Sequence, residues 1–285
     1  MLKLYHNDMS SCAQKVRFVL AEKKLQWHSE ELNLRRGDQQ RPAYLKINPK
    51  GLVPALDHDG NILVESNIIV DYLNESFPQP ALMPDTPLER AAVRWWMKKL
   101  DDGLHLEVAA LSFGIAFRLQ LLDAYDGDRQ RINQHLEAIP DAYMRDVQTQ
   151  VMAEGIESPR FIRAVHAFDH LLAGLDTELA QREWIGSDNM SLADIALAPY
   201  ATRLDHLHLQ GMWQDRPHFK RWYEQIKLTS GYQQGLADWF NPQYLALMDS
   251  AGAEAWPKLM ALLESVKLGC ALLFSLGIST TEKTK

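Results

Sequence analysis

The stretch Asn48-Pro49-Lys50-Gly51-Leu52-Val53-Pro54-Ala55-Leu56 decides the fold, because it sets a proline immediately before an apolar run. Proline cannot donate a hydrogen bond within a sheet, so it does not normally precede a buried strand. A cis Val53-Pro54 peptide bond in a tight turn would explain its presence. Such a turn leaves the backbone N–H and C=O groups of Val53 free to pair with the edge of another peptide.

A second signal, Glu65-Ser66, follows nine residues after this stretch and marks the start of a predicted helix. The N-terminal amides of a helix can bind a carboxylate. A strand-like docking edge beside an anion-binding helix start therefore indicates a site for a small acidic peptide.

The N-terminal part of the chain shows the element order β-α-β followed by β-β-α, which is typical of a thioredoxin-like fold. Asp59-Gly60 is a strong hairpin signal between two of the strands. Residues 37–46 are polar and are predicted to be irregular or briefly helical. The predicted strands lie at 2–5, 27–34, 54–57 and 62–64, and the predicted helices at 11–24 and 66–77.

The remainder is predicted to be helical after a proline-rich linker, since closely spaced prolines end helices and stiffen connections. Long amphipathic helices are predicted at 88–124 and 159–181, and the charged segment 125–158 separates them. Ser191 and Asp194 form a capping box that starts a buried helix reaching about Leu207. The predicted units are residues 1–78, a linker at 79–87, a helical domain at 88–250 and a C-terminal extension at 251–285.

Composition indicates a soluble two-domain protein: 285 residues, 46% hydrophobic and 24% charged. The net charge of −7 argues against a nucleic-acid partner. The N-terminus is predicted to be a strand rather than a signal peptide. The two cysteines, Cys12 and Cys270, are too few for a disulfide framework, so a reducing cytoplasm is expected. The apolar run 268–278 is shorter than the ~20 residues that span a bilayer and is predicted to pack on the rest of the protein. Residues 279–285 are expected to fray.

Ser10-Ser11-Cys12 before a helix, the pattern Asn-Pro-x-Gly-x-Val-Pro-Ala-Leu, and Glu-Ser-x-x-Ile resemble the glutathione-binding half of the cytosolic glutathione transferases. Ser191-Leu192-Ala193-Asp194-Ile195-Ala196 resembles the capping box of that family's helical half. The resemblance covers roughly residues 1–245. It implies an α/β thioredoxin-like N-terminal domain, an all-α C-terminal domain, glutathione as co-substrate, no metal and a homodimer.

The reaction of such an enzyme needs a glutathione thiolate, whereas a free thiol titrates near ~8.5. A hydroxyl at a helix N-terminus supplies both a donor and a favourable dipole. In the serine-type theta and zeta classes the serine follows the strand tyrosine by five residues, a spacing that Tyr5 and Ser10 match. The resemblance therefore implies Ser10 as the thiolate-stabilising residue, with Ser11 as the second candidate; the alternatives are that both only cap the helix, or that Tyr5 acts.

Cys12 is a competing nucleophile. In omega- and beta-type relatives a cysteine at this turn forms a mixed disulfide with glutathione, and a helix N-terminus would lower its pKa. Cys12 lies two residues beyond Ser10, and the chain has no Cys-x-x-Cys, so a buried structural side chain is the competing interpretation.

The resemblance also assigns the remaining glutathione contacts. Ser66 and the amides around it would bind the γ-glutamyl carboxylate, Glu65 the α-amino group, and Val53 before Pro54 the cysteinyl backbone. Gln39 and Lys50 would reach the glycine carboxylate. Leu52 departs from the lysine or glutamine of several relatives, and Asp101 or Asp102 is either a solvated side chain or a contact across a dimer.

The second substrate would lie above the sulfur, in an apolar pocket that suits an aromatic electrophile. The residues predicted to line it are Met9, Trp96, Leu100, Leu104, Leu111, Phe113, Phe117 and Phe240, although such a stripe is also typical of a helical core. His166 and His170 are four residues apart, but no further ligand completes a metal site.

A narrower resemblance concerns the bacterial glutathione-dependent β-etherases of lignin breakdown and their fungal relatives. It rests on Asn-Pro-Lys-Gly-Leu-Val-Pro-Ala-Leu-Asp-His-Asp-Gly, on Phe-Gly-Ile-Ala-Phe at 113–117 and on the extended segment 125–158. It implies attack of glutathione on a carbon that bears an aryl ether. General conjugation, thiol transfer at Cys12 and a non-catalytic glutathione-binding module are the alternatives.

Overall fold

The computed structural model describes the backbone of residues 1–275 and the side chains of residues 1–264. Its N-terminal part is a four-stranded sheet in the order β2-β1-β3-β4, in which β1 and β2 are parallel and the other pairs antiparallel. The strands are β1 Leu2–His6, β2 Trp27–Glu31, β3 Ala55–His58 and β4 Asn61–Val64. The predicted hairpin at Asp59-Gly60 is confirmed, since β3 pairs with β4 across it.

Two helices pack against this sheet: α1 Ser11–Glu22 and α3 Ser66–Ser76. Phe18, Val19 and Leu20 of α1 are fully buried. The thioredoxin-like prediction is therefore confirmed. β2 ends earlier than the predicted 27–34, because the Asn33 side chain accepts the next backbone N–H groups and starts a 3₁₀ turn, Leu34–Arg36. The polar segment that follows contains a further 3₁₀ turn, Asp38–Gln40, and the short helix α2, Pro42–Leu45.

The rest of the described chain is helical, as predicted. Its helices are α4 Pro87–Lys99, α5 His105–Ser112, α6 Arg118–Ala124, α7 Arg129–Glu137, α8 Ala142–Glu154, α9 Pro159–Leu179, α10 Leu192–His206, α11 Pro217–Lys227, α12 Ser230–Gly235 and α13 Pro242–Ser275. Thr86 caps α4 and Pro87 occupies its first turn, so this helix begins at the last residue of the predicted linker.

Helices α4 to α6 form one long helix, Pro87–Ala124, interrupted by π-helical turns at Leu100–Leu104 and Phe113–Phe117. This helix is long and apolar enough to cross a membrane, but 61% of its most apolar window is buried inside the protein. Such burial is expected of a core helix in a helical domain.

The charged segment 125–158, for which the sequence indicated only an insertion, folds mainly into α7 and α8. Asp128 and Asp141 cap the two helices by accepting backbone N–H groups of their first turns. Ile132, Leu136 and Val147 are buried, so the pair packs onto the domain instead of extending as a loop. This placement brings the insertion to the site described below.

The capping box at the start of α10 is confirmed. Asp194 accepts from the backbone N–H of Ser191 at 2.8 Å, and it also accepts from Ile185 N–H and Trp222 Nε1. Helix α13 passes residue 250 without interruption, where the sequence predicted that an extension begins. For the segment 268–278, which the sequence predicted to dock, the backbone is helical as far as Ser275. Residues 276–278 and the tail that was predicted to fray lie outside the described residues.

Candidate functional site

A cleft of about 220 Å³ opens between the sheet domain and the helices. One side is formed by the loop after β1 and the loop before β3, and the other by α5, α7, α8 and the turn Phe113–Phe117. The sequence-predicted residues that line it are Met9, Ser10, Ser11, Gln39, Val53, Phe113 and Phe117.

Ser10 is the N-cap of α1. Its Oγ accepts from the backbone N–H of Ala13 at 3.3 Å, and the residue lines the cleft. Because that bond uses a lone pair, the hydroxyl proton remains available to a ligand. The first amides of α1 add positive potential at the same point. Ser11 also lines the cleft but is only 6% exposed. Tyr5 lies on β1, packs against the Tyr44 ring and is not among the residues that line the cleft.

The Val53-Pro54 peptide bond is cis. The C=O of the preceding Leu52 accepts from Tyr44 Oη at 2.6 Å and from Asn48 Nδ2 at 2.8 Å, which fixes the turn. Within the described part of the chain, the backbone of Val53 makes no hydrogen bond. A peptide edge is therefore available at the cleft, as the sequence indicated.

Gly51 belongs to the same turn and has a φ of +63°, a conformation that favours glycine. A Cβ at this position would lie 3.1 Å from Cδ of Pro140 and 3.2 Å from the carbonyl oxygen of Gln39. Pro140 connects α7 to α8. The insertion therefore rests directly on the turn that presents Val53.

Glu65 and Ser66 lie at the N-terminus of α3. Glu65 Oε1 accepts from Lys50 Nζ at 2.8 Å, and this ion pair connects the turn to the helix start. Both side chains are about half exposed, and hydrogen bonding to Glu65 raises the pKa of Lys50. Ser66 is 7% exposed. Lys50, Pro54, Glu65 and Ser66 are not among the residues that line the cleft of 220 Å³.

Gln39 and Gln40 line the cleft near the turn. Gln39 Nε2 donates to the C=O of Leu34 at 3.3 Å, and its Oε1 has no partner within the described residues. Nε2 of the neighbouring Gln40 is buried and has no acceptor among the described residues. Gln40 thus adds an unused donor to the cleft beside Gln39, which sequence analysis assigned to the glycine carboxylate.

Cys12 is a free, partly exposed thiol in the first turn of α1, and it is not among the residues that line the cleft. Its Sγ lies 3.5 Å from Nδ1 of His105 on α5, and His105 does line the cleft. Burial opposes ionisation of this thiol, but the charges of His105 and Lys15 outweigh it and lower the pKa of Cys12 to about 6. Lys15 is buried and donates to Asn67 Oδ1 at 3.1 Å. Sequence analysis did not identify His105, whose only signal was a polar residue within the predicted apolar stripe.

Met9, Phe113 and Phe117 form an apolar wall of the cleft. Trp96 packs on Gly174 of α9, and Leu100 is fully buried in the core. Phe240 stacks edge-on against the His206 ring at 4.5 Å. The structure does not place these three, nor Leu104 and Leu111, among the cleft residues. The four on the long helix pack against the hydrophobic core, and Phe240, which follows a 3₁₀ turn, packs on His206.

Asp101 and Asp102 both have partners within this chain. Asp101 Oδ1 accepts from Asn67 Nδ2 at 2.9 Å, and Asp102 pairs with Lys98. His166 and His170 belong to no group of three or more potential metal ligands among the described residues.

Sequence analysis missed two arginines. Arg35 and Arg203 line the cleft, and their guanidinium carbons lie 5.8 Å and 4.9 Å from the ring centroid of Phe117. Arg203 is 4% exposed on the buried helix α10. No short motif surrounds either residue, and only the tertiary fold brings them together.

Two family models match the chain. The N-terminal domain of glutathione S-transferase matches residues 9–76, and its C-terminal domain matches residues 152–225. Maleylacetoacetate isomerase of Pseudomonas aeruginosa is 31% identical over 202 residues, which are 70% of this chain and 79% of that protein. The chain belongs to the glutathione S-transferase family.

Other similar proteins carry different names within this family. Glutathione S-transferase GstB of Escherichia coli is 29% identical over 228 residues, which are 79% of this chain and 93% of that protein. The crystal structure of the β-etherase LigF from Sphingobium has a TM-score of 0.73 at 23% identity and covers 82% of this chain and 98% of its own, a likeness that shows the fold. This glutathione transferase therefore uses glutathione as its co-substrate, and the non-catalytic alternative is set aside.

Proposed function

We propose that glutathione lies along the turn at Val53 with its sulfur above Ser10. The proposal is carried by one observation: the N-cap hydroxyl of α1 and the unpaired backbone of Val53 meet at one cleft. The cysteinyl unit pairs with Val53 before cis Pro54, and the γ-glutamyl end reaches Glu65 and Ser66. The glycine carboxylate takes the Gln40 amide, with Lys50 close to the same turn.

Ser10 stabilises the thiolate by donating its hydroxyl proton to the sulfur. The α1 amides stabilise the same negative charge, so the pKa of bound glutathione falls below its free value. Ser11, beside it and more deeply buried, is the alternative donor. Cys12 lies behind this pair, against His105.

The second substrate is an electrophile with an aromatic ring, which packs against the apolar side chains of Met9, Phe113 and Phe117. The thiolate attacks an electrophilic carbon, a C–S bond forms, and the leaving group departs with its electron pair. One substrate class is an aryl ether: the C–O bond breaks, and the phenolate that leaves takes a proton from water. The relative Protein LigF, 27% identical over 196 residues, supports testing this class, since its solved structure is named a β-etherase.

We also propose a homodimer in a reducing cytoplasm. Ile68 on α3 and Trp95 on α4 are exposed by 60% and 56%, and Cys12 is a free thiol. Light scattering after size-exclusion chromatography measures the mass, and a species near the chain mass of 32.6 kDa would contradict the dimer.

The test of the mechanism is the ultraviolet absorbance of the bound thiolate against pH. We compare the natural protein with Ser10→Ala, Ser11→Ala and Cys12→Ser. Free glutathione titrates near ~8.5, and we expect a bound pKa at least about one unit lower, which returns towards ~8.5 only in Ser10→Ala. An unshifted pKa in the natural protein would reject thiolate activation. A loss confined to Ser11→Ala would transfer the role to the neighbouring serine.

A second candidate function has its own observation, the contact of Cys12 with His105. The Cys12 thiolate would attack the glutathione sulfur of a mixed disulfide, form Cys12–S–S–glutathione and release the other thiol. A second glutathione would then regenerate Cys12 and leave as glutathione disulfide, so electrons balance. Cys12→Ser with full thiol-transferase activity would reject this function, whereas loss of that activity with conjugation unchanged would establish it as a separate reaction.

A further inference from the structure

Two cationic side chains in the cleft have no acidic partner. Neither Arg35 nor Arg203 lies within 4.0 Å of a carboxylate among the described side chains. Asp8 attracts both from a longer distance, and its Oδ1 accepts from the backbone N–H of Met9 at 2.7 Å. Arg203 is 4% exposed, whereas Arg35 is partly buried. A buried cation without a counter-ion is costly, so the retention of Arg203 points to an anionic ligand.

Some hydrogen-bond donors of these arginines and of the neighbouring Gln120 have no acceptor among the described residues. Arg203 donates from Nη1 to Ser112 Oγ at 3.0 Å and from Nη2 to the Met9 carbonyl, and its buried Nε has no partner among residues 1–264. Arg35 Nε donates to Gln120 Oε1 at 2.7 Å, which leaves Nε2 of the 9% exposed Gln120 unpaired. A guanidinium has five N–H donors, so both arginines retain donors for a ligand.

The arginines lie on the electrophile side of the cleft. Arg203 lies 4.9 Å from the ring centroid of Phe117, and its hydrogen-bond partners Met9 and Ser112 are next to the apolar wall. Arg35 stacks on the ring of Tyr244 at 3.6 Å and lies 5.8 Å from that of Phe117. The turn at Val53 and the start of α3 are formed by other elements. An anion bound at Arg203, on α10, therefore belongs to the second substrate, since the proposed function assigns the glutathione carboxylates to Gln40, Lys50 and the start of α3.

We infer that the electrophile carries an anionic group, a carboxylate on an aromatic ring, which Arg203, Arg35 and the Gln120 amide bind while the ring stacks near Phe117. This inference rests on the proposed function for its reaction and names the substrate class of the same cleft. A planar guanidinium fork binds a carboxylate with two parallel hydrogen bonds, which also orients the ring for attack.

The test compares 4-chloro-3,5-dinitrobenzoate with its methyl ester as substrates. The pair shares ring and leaving group and differs in charge. Each kcat/KM is divided by the uncatalysed rate of the same compound with glutathione, which removes the difference in intrinsic reactivity. We expect a preference for the carboxylate of about tenfold to a hundredfold, the range for one or two charge-assisted hydrogen bonds.

Three variants assign that preference. Arg203→Gln and Arg35→Gln should each lower the normalised kcat/KM for the carboxylate about tenfold or more and change the ester less than about threefold. Arg36→Gln is the matched control, because Arg36 is exposed in the same 3₁₀ turn and does not line the cleft. If Arg203→Gln fails to fold, Arg35→Gln still decides. Equal use of both compounds, or equal losses for both, would overturn the inference.

A binding experiment separates this inference from the proposed function. Calorimetry with the unreactive pair 3,5-dinitrobenzoate and its methyl ester, in the presence of S-methylglutathione, requires no turnover. If neither chloro compound reacts and the thiolate pKa is unshifted, the proposed function fails, while tighter binding of the benzoate that Arg203→Gln abolishes still supports the anion site. If the ester reacts and the benzoate binds no more tightly, the anion site fails and the function stands.

Discussion

Replacing His105 with glutamine should make the Cys12 thiol much less acidic. Sγ and Nδ1 are 3.5 Å apart, and unit charges at about 4 Å interact by about 4 kcal/mol at an effective dielectric constant near 20. One pKa unit corresponds to about 1.4 kcal/mol, so the imidazolium can account for up to about three units. Lys15 remains in place, and we therefore expect the pKa of Cys12 to rise by about two units from about 6.

The assay is the rate of iodoacetamide alkylation at Cys12 against pH, followed on the peptide that contains this residue. Because a thiolate reacts and a thiol does not, the natural rate rises as pH increases through about 6 and is nearly maximal at pH 7. In His105→Gln the midpoint moves to about 8, so the rate at pH 7 falls about tenfold. Peptide mapping excludes reaction at Cys270.

The matched control is His135→Gln. His135 also lines the cleft, but its Nδ1 pairs with Tyr125 Oη at 3.0 Å and it has no contact with Cys12. Its alkylation profile should equal the natural one. A midpoint that stays near 6 in His105→Gln would refute the electrostatic reasoning and leave Lys15 as the main source of the acidity.

Two further predictions concern stability, measured by urea unfolding. Gly51→Ala should lower the free energy of unfolding by about 1–3 kcal/mol and raise the KM for glutathione, because φ at this position is +63° and a Cβ meets Pro140. Gly60→Ala is the control, since φ is +87° but a Cβ meets nothing within 4 Å. It should lose only the stability that the unfavourable φ costs and leave KM unchanged. Asp194→Ala should lower the free energy of unfolding by about 3–5 kcal/mol, because the buried donors of Ile185, Ser191 and Trp222 then lack an acceptor. Asp188→Ala, at an exposed position, is the control and should change this free energy by less than about 0.5 kcal/mol.

The fold was predictable because its decisive signals are local. The cis turn before β3, the Asp59-Gly60 hairpin and the Ser191–Asp194 capping box each depend on backbone chemistry within a few residues. Element ends were less predictable. The strand β2 stops at Glu31 because of a side-chain cap at Asn33, and such competition is not visible in hydrophobic periodicity.

The candidate site was predictable on one side only. Ser10 and Val53 lie in short motifs, and the structure brings both to the cleft. Trp96 and Leu100 belong to the same apolar face of the helix as residues near the cleft. Hydrophobic periodicity does not show whether such a face lines a cleft or packs in the core, and these two residues pack in the core. Arg203 and His105 are single residues on helices, and only their long-range contacts give them a role.

This division has a physical origin in the chain. The matched segment 9–76 contains Ser10 and Val53, and the matched segment 152–225 contributes Arg203 to the cleft. Phe113, Phe117, Gln120, His135 and Met144 lie between those segments, on the interrupted long helix and on the α7–α8 insertion. Relatives named for isomerisation, conjugation or β-etherase structure can therefore share the matched segments without sharing the cleft residues that lie between them. We therefore predict that variants at cleft residues between 105 and 148, and at Arg35 and Arg203, change the electrophile that is accepted while leaving the thiolate pKa of bound glutathione unchanged.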